Sequence, residues 1–107
     1  MPERAEAYYE LARLELEGGQ PNEALESAQQ ALRLARGLRS PAEEGRASLI
    51  LGQVLMRVER PADAIPHLDR AQAVFGECGM RQSEIVATDI LHHAEGGHTK
   101  CGSSTAC

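Results

Sequence analysis

Apolar residues recur along this chain at intervals of three and four. Ala24, Leu25, Ala28, Ala31, Leu32 and Ala35 fit one face of a helix with about 3.6 residues per turn, and so do Ala64, Ile65, Leu68, Ala71 and Phe75. Nowhere do polar and apolar residues alternate as a strand requires. Glycine and proline interrupt the pattern at "EGGQP" (17–21), "LRSP" (38–41), "VERP" (58–61), "ECGM" (77–80) and "EGGH" (95–98). The segments between them predict helices near 3–17, 22–37, 42–58, 62–76 and 81–95. Pro21, Pro41 and Pro61 stand where helices begin, and there a missing N–H costs nothing. Pro66 falls early in the fourth segment and removes one backbone hydrogen bond. The short gaps make successive helices antiparallel neighbours, so the predicted class is all-α.

Shifted by 40 residues, the chain matches itself: Ala7 with Ala47, Leu11 with Leu51, Pro21 with Pro61, Ala24 with Ala64, and Ala31 with Ala71. Leu25 falls on Ile65 and Ala12 on Gly52, while Ala87 and Leu91 continue the register. Two helical hairpins and half of a third follow from this. They are expected to share one aliphatic seam that includes Leu11 and Leu51.

The chain resembles the tetratricopeptide repeat family over about residues 3–95. The first copy carries the resemblance at Tyr8, Leu11, Ala12, Ala24, Ala28 and Ala31, and the second at Ser48, Leu51, Gly52, Ala64, Leu68 and Ala71. "NEALESAQQAL" and "ADAIPHLDRAQ" are similar to second helices of that family. The resemblance implies an α-solenoid whose first helices line a concave, peptide-binding groove. The residues it assigns to that groove are Tyr9 and Arg13; Arg46, Leu49, Gln53, Met56 and Arg57; and Val86, Asp89 and His93. Arg13, Arg46 and Arg57 together suggest a clamp for a carboxylate, because a guanidinium presents a planar fork of donors. The departures are a period of 40 in place of about 34, Ser48 at a bulky position, and a third copy reduced to a lone first helix with His92 at the small position. That lone helix is expected to cap the stack, or to dock on a partner or a second copy of the chain as a homodimer.

Composition narrows the function. At 107 residues the chain is expected to form one domain (1–95) and a tail (96–107). Aromatics are only 3%, so the core must be aliphatic and rich in alanine. A net charge of −5 disfavours nucleic acid and anionic membranes as partners. No apolar run approaches the roughly 20 residues that span a bilayer. "MPERAEAYYE" lacks the apolar stretch of a signal peptide, which points to the cytoplasm and to reduced cysteines.

No catalytic constellation or cofactor motif is present, so the chain is read as a non-enzymatic scaffold or adaptor without cofactors. Glu10, Glu15, Glu17 and Glu26 read as surface carboxylates, and Glu43 and Glu44 complement a helix dipole. Cys78 reads as a small buried apolar residue.

The end of the chain, "AEGGHTKCGSSTAC", is of another kind. Its composition predicts disorder in the free chain. His98, Cys101 and Cys107 are ligand types for zinc, but their spacing is not that of a closed site. A third reading makes the tail a substrate. A double glycine followed by a short segment bearing Cys101, Ser103, Ser104, Thr105 and Cys107 resembles the core of a ribosomally made, post-translationally modified peptide. The repeat domain would then be a leader that recruits the modifying enzyme to HTKCGSSTAC (98–107).

Overall fold

A computed structural model describes the backbone of residues 5–99 and the side chains of residues 5–95. Five α-helices follow one another: α1 (Ala5–Glu17), α2 (Pro21–Leu38), α3 (Pro41–Arg57), α4 (Pro61–Cys78) and α5 (Arg81–Thr99). The described residues contain no strand, and the expected all-α class holds. Pro21, Pro41 and Pro61 are each the first helical residue. Helix α4 runs unbroken through Pro66. Helix α5 continues past residue 95, through Gly96 and Gly97 to Thr99, so the double glycine does not end it.

The turns are built alike. Gly19, Arg39, Glu59 and Gly79, spaced twenty residues apart, all have positive φ, at 79°, 56°, 64° and 73°. The next amide closes the preceding helix in three of them: Gln20 N–H donates to the Glu15 carbonyl (2.8 Å), Arg60 to Leu55 (2.8 Å) and Met80 to Phe75 (2.9 Å). These six-to-one bonds satisfy carbonyls that a helix end leaves open. At the start of α3 the Ser40 hydroxyl accepts from the Glu43 amide at 3.4 Å.

Each helix packs on the one before and the one after it. Further contacts join α1 to α3 and α3 to α5, but none joins α2 to α4. The first helices of the hairpins therefore converge on one side while the second helices splay on the other, which curves the stack. The smallest extent is 19 Å, the thickness of two helical layers of roughly 10 Å each.

The core is an alanine-rich aliphatic seam, which suits this close packing. Ala12, Ala24, Ala28, Ala31, Ala35, Ala64, Ala71, Ala87 and Ala94 are all fully buried, with Leu68 and Phe75 filling the larger spaces. Helix α3 touches all four others, and Ala47 to Gly52 are buried without a break. Over that stretch the helix is covered on every side and needs no polar stripe.

Polar links pin the layers together. Ser27 donates to the Glu15 carboxylate at 2.8 Å, joining α1 to α2. Gln72 Nε2 donates to Thr88 Oγ1 at 2.7 Å, joining α4 to α5. Glu44, at the start of α3, lies 3.7 Å from Arg36 of α2 and 3.3 Å from Arg70 of α4.

Two expectations fail. Leu51 lies in the seam at 3% exposure, but its repeat mate Leu11 is 42% exposed. Among the described residues no helix precedes α1, so the flank that is buried on α3 stays open on α1, where Leu14 is also exposed. Cys78 is an exposed free thiol and not a core residue. It occupies the last helical position, just beyond the buried Val74 and Phe75, where the chain turns toward α5.

Candidate functional site: the concave groove

Where α1, α3 and α5 converge there is a concavity of about 530 Å³. Leu16 of α1, Met56 of α3 and Ile90 of α5 supply its apolar surface, with Leu16 buried and the other two half-buried. Arg13, Glu17, Gln53, Arg57, Asp89 and His93 complete the lining. Two arginines against two carboxylates leave the groove near electrical balance, unlike the acidic chain as a whole.

The arginines differ in how far they are engaged. Arg13 lies 2.7 Å from Glu10 and 3.6 Å from Glu17 on its own helix. The hydrogen bond it donates to the Glu10 carboxylate, helped by the nearby negative charges, raises its pKa above the ordinary arginine value. Arg46 lies 3.2 Å from Glu43 and does not line the groove. Arg57 has no carboxylate within ion-pair distance among the described residues, and it is exposed. A clamp of three free arginines is thus not formed; one uncommitted guanidinium faces the groove. His93 donates from Nδ1 to the Asp89 backbone carbonyl at 2.9 Å, which orients its ring and leaves Nε2 open.

Six of the residues that the family resemblance assigns to a groove line this concavity together: Arg13, Gln53, Met56, Arg57, Asp89 and His93. Tyr9 and Arg46 are half-buried outside it. Leu49 is buried in the core at 8% exposure. Val86 lies along the outer flank of α5 beside Ile85. Leu16, Glu17 and Ile90 were not anticipated. Leu16 and Glu17 precede Met56 and Arg57 by 40 residues, so the internal shift applied backward points to both.

Cys101, Ser103, Ser104, Thr105 and Cys107 lie outside the described residues, as does the side chain of His98. Among the described residues no group of three His, Cys, Asp or Glu side chains is placed to hold a metal ion. No described helix is long and apolar enough to cross a membrane.

No family model matches the chain, and neither does any curated protein or solved structure.

Proposed function

We propose that the chain is a non-catalytic module of the tetratricopeptide type, which binds a short segment of another protein in the groove between α1, α3 and α5. A cytoplasmic setting accords with this reading. The observation that carries it is the concavity itself. Three helices from three successive repeat positions bring an apolar floor (Leu16, Met56, Ile90) and an unpaired arginine (Arg57) to one surface. An apolar side chain of the ligand fits that floor, and a neighbouring carboxylate fits the free guanidinium of Arg57. The trough is short, so the recognised segment spans only a few residues.

Selection from a random peptide display library tests this. Peptides that enrich on the protein should lose about tenfold or more in affinity with Met56→Asp or Arg57→Glu. They should be indifferent to Arg46→Glu, which lies outside the groove. Failure to enrich any peptide, or binding untouched by both groove substitutions, removes the proposal.

A second reading rests on the sequence of residues 98–107, with its two cysteines and three hydroxyl residues after the lysine. In it the repeat domain is the leader of a modified-peptide precursor. Intact mass of the chain isolated from its native host tests it: a loss of one water per modified residue, confined to the tail, supports it, and an unmodified mass counts against it.

A further inference from the structure

The outer flank of α5 is not shaped to continue the stack. On α3 the positions turned toward the following helix are Gly45 and Gly52, and their counterparts forty residues earlier on α1, Ala5 and Ala12, are also small and buried. On α3 this smallness is required. A Cβ on Gly45 would stand 2.9 Å from Phe75 Cε1, and one on Gly52 would collide with Leu68. Forty residues further on, the same positions are Ile85 and His92. A sixth helix seated as α4 is seated on α3 would run into both. The flank is nevertheless apolar in part, for Ile85 is 58% exposed and Val86 42%.

Charges frame this apolar patch. Arg81, Ile85 and Asp89 follow at i, i+4 and i+8, so they form one ridge along the helix, and all three line the same shallow groove. Neither Arg81 nor the Asp89 carboxylate has an ion-pair or hydrogen-bond partner among the described residues. Glu84 also lines this groove, but its carboxylate lies over Gly76 of α4, where an added Cβ would stand 3.2 Å from it, and it is not on the i, i+4, i+8 ridge. The ridge therefore reads positive, apolar, negative. Run antiparallel against itself, that order is its own complement, whereas a parallel pairing would set like charge on like.

We infer that α5 pairs with α5 of a second copy of the chain, antiparallel about a two-fold axis at Ile85, with Arg81 meeting the partner's Asp89 on both sides. The isoleucines bury one another at the centre, and each ion pair occurs twice by symmetry. A single helix pair is smaller than the usual stable interface, so the dimer is weak and depends on concentration. The pairing does not depend on the groove reading: Ile85 and Arg81 lie outside the concavity, and only Asp89 borders both surfaces.

Sedimentation equilibrium of the full chain, kept reduced so that thiols cannot cross-link it, tests the dimer. The wild type should show a reversible monomer–dimer equilibrium. Ile85→Glu, Arg81→Asp and Asp89→Arg should each raise the dissociation constant by about tenfold or more. The double reversal Arg81→Asp/Asp89→Arg restores a self-complementary ridge and should return the constant to within about threefold of wild type. Circular dichroism checks that each variant stays folded, and these exposed positions should tolerate the changes. Peptides selected on the groove should bind Ile85→Glu and Arg81→Asp as they bind wild type, which separates the two surfaces. A chain that stays monomeric throughout the accessible concentration range overturns the inference. So does a dimer that ignores Ile85→Glu, or one that the charge swap does not rescue.

Discussion

Gly52 lies against the Leu68 side chain so closely that an added Cβ would stand 2.5 Å from its Cδ2 and 2.6 Å from its Cγ. Leu68 is fully buried, so it has no open space into which to turn. Gly52→Ala should therefore destabilise the fold. Overpacking a core costs about 1–3 kcal/mol, against roughly 1 kcal/mol regained from helix propensity, so a net loss of about 1 kcal/mol is expected. Gly37 is the control, since an added methyl there meets nothing within 4 Å. Gly37→Ala should stabilise by about 0.5–1 kcal/mol. Urea unfolding measures both. In the Leu68→Ala background the penalty of Gly52→Ala should vanish, because both clashing atoms are gone. A Gly52→Ala chain as stable as Gly37→Ala would refute the account of the seam.

The turns offer stabilising changes. Arg39 and Glu59 hold φ of 56° and 64°, conformations that glycine takes in the equivalent turns at Gly19 and Gly79. The left-handed region costs a side-chain-bearing residue about 1–2 kcal/mol, part of which glycine gives back in unfolded-state entropy. Glu59→Gly and Arg39→Gly should each raise stability by about 0.5–1 kcal/mol, or a few degrees in Tm. Thermal melts that fall for both would contradict the turn geometry.

Much of the architecture is legible before any coordinates, for a definite reason. Proline at the first helical position and glycine or a polar residue in each turn are local signals, so the expected starts at 22, 42 and 62 lie within one residue of the observed 21, 41 and 61. The 40-residue shift then pairs equivalent positions without any knowledge of packing. It fails where burial depends on neighbours and not on pattern. Leu11 matches Leu51, but α1 is covered on one flank only. Leu49 and Val86 occupy positions that the family geometry turns toward the groove, yet one is buried in the core and the other lies on the outer flank of the last helix. Which arginine is free could not be read either. Glu10, Glu17 and Glu43 are near Arg13 and Arg46 in sequence, but whether they engage them depends on rotamers.

The entry to α3 is the one helix start among the described residues with a side-chain cap in place. Gln20 and Arg60 precede α2 and α4 without such a bond, whereas the Ser40 hydroxyl accepts from Glu43. Glu43 itself is the acidic residue of a capping-box spacing. Ser40→Ala should cost about 1 kcal/mol, and Ser40→Asp should be close to neutral because a carboxylate caps as well. Since α3 is the central helix, that loss should appear in global unfolding and not as local fraying. Hydrogen exchange would show this as lowered protection across α3 and its neighbours together. Lowered protection confined to the first turn would mean that the start of α3 opens independently.

His67 gives the fold a pH-dependent contribution. It is half-buried on α4, beside a cleft that also takes in Leu32 and Arg36 of α2 and Leu51 of α3. Burial lowers its pKa below the ordinary histidine value, the Arg36 charge lowers it further, and Asp63 opposes them in part. Asp63 is itself paired with Arg60 at 2.8 Å. Because the folded pKa lies below that of the unfolded chain, about 6.5, the unfolded state takes up the proton first as pH falls. The neutral imidazole thus contributes stability that is fully present above about pH 6.5 and is lost as pH drops through the folded pKa. His67→Gln should remove this acid-side loss, so the urea midpoint of the wild type should fall relative to that of the variant as the pH is lowered from 7 toward 5. Arg36→Gln should raise the native His67 pKa, read by imidazole NMR, yet leave it below about 6.5, because burial is the larger cause. Glu44 keeps Arg70 in that variant, so the bridge to α4 survives. A native His67 that titrates at or above the unfolded value would reverse the sign of the whole effect and sink the prediction.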